Sequence, residues 1–306
     1  MNDVAGVIAV AICDRDGFII ASEDRAEFNN ESIIGVLSAV LDSYIDRIKN
    51  EFGTESNFMN ITTTGDKKFA YCSMGPNSIL TSIANQTTTD IELRVFSEHI
   101  ASKIELLISG NDKVSLEIPE IIRTLSKIKG GKLPLGDFSS KLILTGDYSV
   151  GKTSLIKRFV ENIFQESYIS TIGVEISKKT LELGETTNVN FIIWDIAGQR
   201  AQMAPYRTRF YSGANSALIV IDRTRKDNLQ SIEYWYNDIK KSISANIPIV
   251  IVGNKSDLDD KIIISESEIK EISEKYGFHY ILTSARTGDN VNDAFLYIAY
   301  RFLEMA

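Results

Sequence analysis

The stretch Gly146-Asp147-Tyr148-Ser149-Val150-Gly151-Lys152-Thr153 matches the pattern G-x-x-x-x-G-K-[ST]. The apolar run 141–145 before it is typical of a buried strand, and residues 154–160 after it are typical of a helix start. Such a turn points backbone N–H groups and a helix N-terminus at one spot, which favours anion binding. We therefore expect this loop and Ser154 to cradle phosphates, with Lys152 on the β- and γ-phosphates and the Thr153 hydroxyl on Mg²⁺.

Composition limits the other functions. The chain has 306 residues, enough for two domains, with 43% hydrophobic and 24% charged residues. Its net charge of −8 and the lack of a basic stripe argue against nucleic-acid binding. Two cysteines and two histidines make neither a disulfide framework nor a zinc site.

The sequence at neither end of the chain predicts a segment that binds a membrane by itself. The apolar run 4–12 lacks a basic segment before it and is too short to span a bilayer. Residues 301–306 contain no cysteine for prenylation. We expect a cytoplasmic protein without a direct membrane anchor.

Residues 140–306 alternate apolar runs with helix-like stretches, which predicts an α/β domain with a doubly wound, mostly parallel sheet. The expected strands are 141–145, 179–183, 189–195, 216–222, 247–254 and 280–283, and the expected helices are 152–162, 229–244, 266–276 and 290–304.

Residues 1–110 follow a different pattern and predict a smaller α+β domain of order ββαβββα. The Asp-Gly turn at 16–17 joins two strands, and a helix is expected over 31–51. Asp90 is a candidate cap of the last helix. Residues 111–139 form the expected linker, with a short helix over 117–128 that the glycines of 130–136 end.

Four further motifs follow the phosphate loop. They are Ser170-Thr171-Ile172-Gly173, Trp194-Asp195-Ile196-Ala197-Gly198-Gln199, Asn254-Lys255-Ser256-Asp257 and Ser284-Ala285-Arg286. With the phosphate loop, they resemble the five motifs of Ras-superfamily small GTPases, nearest to the Rab-like branch. The resemblance implies a P-loop GTPase domain that binds GTP or GDP with Mg²⁺ and hydrolyses GTP slowly.

The same resemblance implies the roles of the catalytic residues. Thr171 closes on Mg²⁺ and the γ-phosphate, and Asp195 holds Mg²⁺ through water. Gly198 lets a backbone N–H approach the γ-phosphate because it has no Cβ. Gln199 orients the attacking water. The expected catalytic residues are therefore Lys152, Thr171 and Gln199.

The later motifs favour guanine over adenine. Asp257 accepts two hydrogen bonds from the guanine N1–H and exocyclic amine, a donor pair that adenine lacks. The resemblance places Lys255 along the ring, Asn254 as a brace of the loops, and the Ala285 N–H on guanine O6. Ser284 and Arg286 flank Ala285, and Arg286 stands where lysine is usual.

Three features depart from the family pattern. Tyr148 replaces a glycine or small residue and crowds the γ-phosphate if its ring turns inward. Arg200 follows Gln199 where an acidic residue is common, and no arginine lies between Arg158 and Arg200. We expect a slow GTPase switch, and a GTP-loaded scaffold with little hydrolysis is the alternative. A P-loop kinase or ATPase is disfavoured by Asp257.

The N-terminal half resembles a roadblock-type domain, and the longin domain has a nearly identical element order. The resemblance implies a homodimer, or pairing with other roadblock or longin proteins, through residues 1–110. Regulators and effectors are expected at the switch loops, the second of which is 203–211.

Overall fold

The computed structural model describes residues 6–25, 59–75, 77–111, 113–125, 133–165, 171–183 and 186–305, and the single residues 34, 35, 38, 40 and 43. The chain divides into two compact units, Met1–Lys132 and Leu133–Ala306. The division lies inside the stretch expected as a linker. No helix among these described ranges is long and apolar enough to cross a membrane.

The first unit contains a five-stranded antiparallel sheet of order β2-β1-β5-β4-β3. The Asp14 carboxylate closes the first hairpin by accepting from the backbone N–H of Asp16 at 3.0 Å and of Phe18 at 2.8 Å. Its elements are β1 (Val7–Asp14), β2 (Ile19–Asp24), β3 (Met59–Thr64), β4 (Lys67–Met74), β5 (Ser78–Asn85), α1 (Asp90–Ile108) and α2 (Glu120–Leu125).

Apolar residues pack on both faces of this sheet. Alternate residues of β1 are buried, and Ala11 and Cys13 pack with Ile34 on one face. On the other face, Ile12 packs with Ala101 of α1. The five described residues between 34 and 43 are helical, as expected for the helix over 31–51. The other expected apolar positions of that helix, 33, 37, 41, 44, 45 and 48, lie outside the described residues.

One expectation about α1 is wrong. Thr89, not Asp90, caps the helix, because the Thr89 hydroxyl accepts from the backbone N–H of Glu92 at 3.1 Å. Asp90 is the first residue inside the helix. The short helix α2 is narrower than the expected 117–128, and residues 126–132 lie outside the described part of the chain.

The second unit contains a six-stranded sheet of order β11-β10-β9-β6-β8-β7, in which only β7 runs antiparallel to its neighbour. Its strands are β6 (Gly136–Thr145), β7 (Val174–Glu182), β8 (Thr187–Ile196), β9 (Ser216–Asp222), β10 (Ile249–Asn254) and β11 (His279–Leu282). Its helices are α3 (Lys152–Glu161), α4 (Arg200–Tyr211), α5 (Asp227–Ser242), α6 (Glu266–Tyr276) and α7 (Val291–Leu303), with a 3₁₀ turn over Asp259–Lys261.

Helices cover this sheet on both faces, as the doubly wound prediction requires. On one face, Tyr211 of α4, Trp235 of α5 and Ile269 of α6 share a core with the sheet. On the other, α3 and α7 pack together through the stacked rings of Phe159 and Phe295, whose centroids lie 3.8 Å apart. The phosphate loop leaves the carboxyl end of β6, where doubly wound sheets bind ligands.

Three elements differ most from the sequence expectation. β6 begins at Gly136, five positions before the expected start at 141 and inside the stretch expected as the linker. β7 begins at Val174, five positions before the expected start at 179. The helix α4 has no counterpart among the expected helices, and it covers the whole of the stretch 203–211 that is expected as the second switch loop. Pro205 lies inside this helix, which is an unfavourable position for proline and explains why the pattern gave no helix there.

Candidate nucleotide-binding site

The phosphate loop folds around the ammonium group of Lys152. The Lys152 Nζ donates to the carbonyl oxygen of Gly146 at 2.9 Å and to that of Asp147 at 3.0 Å. Burial lowers the pKa of Lys152 to about 8, and the nearby carboxylates of Asp195 and Asp147 oppose that effect. A buried ammonium group that is held in this way can bind anionic oxygens.

Glycines allow the loop to approach its neighbours. Gly146 has a φ of 143°, and a Cβ on it would collide with the carbonyl oxygen of Val220. Gly151 has a φ of 99°, and a Cβ there would collide with the Asn254 amide. The first and sixth positions of the motif therefore tolerate no side chain.

Three oxygen-bearing side chains converge beside the lysine. The hydroxyls of Thr153 and Thr171 lie 2.7 Å apart, and both donate to the Asp195 Oδ2, Thr171 at 3.4 Å and Thr153 more closely. The Asp195 Oδ1 is buried and has no hydrogen-bond partner among the described residues. Burial raises the pKa of Asp195, while Thr153 and Lys152 lower it.

This oxygen group fits a hard divalent cation. Mg²⁺ prefers oxygen ligands and is commonly held by one or two protein groups plus waters and phosphates. The unpartnered Asp195 Oδ1 is a group that such an ion, or water bound to it, would satisfy. Thr153, Thr171 and Asp195 are thus the residues that would hold Mg²⁺.

Asp257 lines the same cavity and is suited to hydrogen bonding with a nucleobase. The Asp257 side chain is 8% exposed, and its Oδ1 accepts from the Ser284 hydroxyl at 2.7 Å. A carboxylate fixed in this way offers only acceptors, which suits the paired donors of guanine.

Asn254 and Lys255 join the base loops to the phosphate loop. The Asn254 amide donates to the Val150 carbonyl at 2.9 Å and accepts from the Ala285 N–H at 3.2 Å. The Lys255 ammonium donates to the Ser149 carbonyl at 3.0 Å. Asn254 therefore contacts both the phosphate loop and the loop that contains Ala285.

Sequence reasoning missed two supporting residues. The Arg158 guanidinium on α3 donates to the carbonyls of Ala285 at 3.0 Å and Arg286 at 2.6 Å. Asp222, at the end of β9, forms a 2.6 Å ion pair with Lys255. Neither belongs to a motif, but Asp222 ends a parallel strand at the ligand edge of the sheet, a signal that was available.

A cavity of about 670 Å³ brings most of the expected residues together. Five of the expected residues are buried and do not line it: Gly146, Asp147, Val150, Asp195 and Ser284. The lining includes Tyr148, Ser149, Gly151, Lys152, Thr153, Ser154, Thr171, Gly198, Gln199, Asn254, Lys255, Asp257, Ala285 and Arg286. Ser170 of the switch motif lies outside the described residues.

The three departures have different outcomes. Tyr148 lines the cavity and is 43% exposed, and its carbonyl accepts from Arg225 at 2.9 Å. Arg200 turns away from the cavity and pairs with the side chain of Asp147. Arg225 is thus an arginine beside the phosphate loop, and it lies outside the interval between Arg158 and Arg200.

Comparison with known proteins identifies the family of the C-terminal unit. The family model described as Ras family matches residues 141–304. The Ras-related protein Rab-1 of Theileria parva is 39% identical over 164 residues, which cover 53% of this chain and 74% of that protein. The chain therefore belongs to the Ras family, and its C-terminal unit is a small-GTPase domain of the kind that binds GTP and GDP.

Proposed function

We propose that the C-terminal unit is a Mg²⁺-dependent switch that hydrolyses GTP, with Gln199, Lys152 and Thr171 as its catalytic residues. The convergence of Thr153, Thr171 and Asp195 beside the Lys152 ammonium supports this proposal most directly. Mg²⁺, when bound, would neutralise charge on the phosphates.

The residues of the chain have separate tasks in this proposal. Lys152 and the backbone N–H groups of residues 146–154 hold the phosphates, and Asp257 selects guanine. The Gln199 side chain orients the attacking water. Thr171 contacts the γ-phosphate side only in the GTP state, and hydrolysis releases its loop.

A second candidate function, a GTP-loaded scaffold with little hydrolysis, is favoured by Tyr148. This large side chain lines the same cavity as Gln199, at a loop position usually occupied by glycine or a small residue. A ring there excludes the attacking water or an arginine supplied by an activating protein.

One experiment separates the two functions. The full chain is loaded with GTP, and hydrolysis is followed in a single turnover for the natural chain and for Tyr148→Gly. Measurable hydrolysis by the natural chain supports the switch. Hydrolysis that appears only in Tyr148→Gly supports the scaffold, and tight ATP binding without GTP preference contradicts both.

We further propose that the N-terminal unit, as a roadblock-type domain in a cytoplasmic protein, pairs with a second copy or recruits regulators. Its edge strand β2 and the preceding turn expose Ile20 at 59% and Phe18 at 72%. Light scattering of the full chain tests this: a dimer mass that Phe18→Ser with Ile20→Ser reduces to a monomer supports pairing at this edge. A monomer at all concentrations contradicts the homodimer.

A further inference from the structure

The side chain of Asp147 is fully engaged inside the protein. The carboxylate is 7% exposed and accepts from the Arg200 Nε at 2.6 Å and Nη2 at 2.7 Å. It also accepts from the Trp235 indole N–H at 3.1 Å and the Asn228 amide at 3.4 Å. A bidentate arginine–carboxylate pair with two further donors is a strong and directional contact.

The Arg200 residue is held at a second point as well. Its guanidinium carbon lies 4.5 Å from the centroid of the Tyr234 ring. Its carbonyl accepts from Arg207 at 2.7 Å, and Arg207 is 2% exposed and paired with Asp238 at 2.6 Å. The side chain of Arg200 is therefore fixed to the phosphate loop. Its backbone carbonyl is fixed to Arg207 of the same helix, which in turn pairs with Asp238 of α5.

Two residues before Arg200, the backbone itself touches the phosphate loop. A Cβ on Gly198 would lie 2.5 Å from the Asp147 carbonyl carbon and 2.6 Å from the Tyr148 nitrogen. Gln199 lies between this close approach and the Arg200–Asp147 pair. The segment 198–200 is thus attached to residues 147–148 on both sides of Gln199.

We propose that Asp147 and Arg200 are positioning residues that hold the Gly198–Gln199 backbone against the phosphate loop and so set the hydrolysis rate. This proposal rests on the proposed GTPase function. Because the Arg200 side chain does not line the nucleotide cavity, its pairing with Asp147 acts on the rate of the chemical step through Gln199, and removal of the Arg200 guanidinium leaves GTP affinity nearly unchanged. A misplacement of about 1 Å at a reacting centre costs ~100-fold in rate.

The test uses the full chain and four variants: Arg200→Met, Asp147→Asn, the double variant, and Arg209→Met as a matched control. Arg209 is an exposed arginine on the same helix. Arg200→Met should lower single-turnover hydrolysis about 100-fold while GTP affinity stays within about threefold. The double variant should be no slower than the slower single variant, because both residues belong to one contact.

A second comparison distinguishes positioning from general damage. Amide hydrogen exchange over residues 198–207 should rise in Arg200→Met and not in Arg209→Met. This readout does not need GTP hydrolysis, so it still tests the pair if the natural chain proves inactive. Unchanged exchange, faster hydrolysis in Arg200→Met, or equal effects of Arg200→Met and Arg209→Met would overturn the proposal.

Discussion

The hydroxyl oxygens of Thr153 and Thr171 lie 2.7 Å apart although the residues are 18 positions apart in the chain. One belongs to the helix after the phosphate loop, and the other belongs to the loop before β7. Asp195 at the end of β8 contacts both. Three separate segments of the chain therefore meet at this site. Removal of one hydroxyl would change a hydrogen-bonded group to which all three segments contribute.

Thr171→Ala should weaken GTP binding while GDP binding changes little. A hydrogen bond to a charged group contributes about 1.5–3 kcal/mol, which corresponds to roughly 10- to 150-fold in affinity. Competitive titration with both nucleotides measures the ratio. Thr180→Ala, which removes another hydroxyl from an exposed position on β7, is the control. Equal losses for GTP and GDP would show that Thr171 does not sense the γ-phosphate.

Asp257→Asn should reduce GTP affinity about 100-fold or more, because the new amide group presents a donor to the donors of guanine. Xanthosine triphosphate, which carries a carbonyl in place of the exocyclic amine, should bind the variant better than GTP. The exposed Asp260 supplies the control, Asp260→Asn. Retention of GTP preference in Asp257→Asn would mean that another residue recognises the base.

Arg158→Met should speed guanine nucleotide release about 10-fold, because the Ser284–Arg286 loop loses two charge-assisted hydrogen bonds from one guanidinium. Arg158→Lys keeps the charge but offers no planar fork, so it should restore only part of the loss. Release of a fluorescent GDP analogue measures the rate. A rate equal to that of the natural chain would remove Arg158 from the site.

GTP affinity should fall as pH rises above about 8, because burial lowers the pKa of Lys152 to about that value. Phosphate oxygens favour the charged amine, so binding takes up a proton between pH 8 and the higher pKa of the complex. The ordinary pKa of lysine is about 10.4, so the loss of the Lys152 proton should occur well below the pH at which other lysines titrate. Titrations between about pH 7 and pH 9.5 measure this effect. Constant affinity over that range would contradict it.

The lowered pKa of Lys152 acts in the opposite direction on the free energy of unfolding, which it causes to rise with pH. The folded, nucleotide-free chain binds fewer protons at Lys152 than the unfolded chain between about pH 8 and the ordinary lysine pKa. The contribution of this group to the free energy of unfolding therefore rises with pH in that window. Lys152→Met should remove this part of the pH dependence, and denaturant unfolding at several pH values measures it.

The sequence predicted the parts of the site that lie in continuous segments. The bounds of β9 and α6 agree with the structure, and 14 of the expected residues line one cavity. The contacts that hold these segments together were not predictable, because they join distant residues. Arg158 reaches Ala285 across 127 positions. The pairing of Arg200 with Asp147 was not predictable either, because it depends on the helix α4 and Pro205 argued against a helix there.

The central claim is that Gln199 in this cavity promotes GTP hydrolysis. The most direct test is single-turnover hydrolysis of pre-loaded GTP by the full chain with Mg²⁺, compared with Gln199→Leu and with EDTA present. We expect slow hydrolysis that Gln199→Leu and EDTA each abolish, while GTP stays bound to Gln199→Leu. Hydrolysis at the same rate in Gln199→Leu would contradict it.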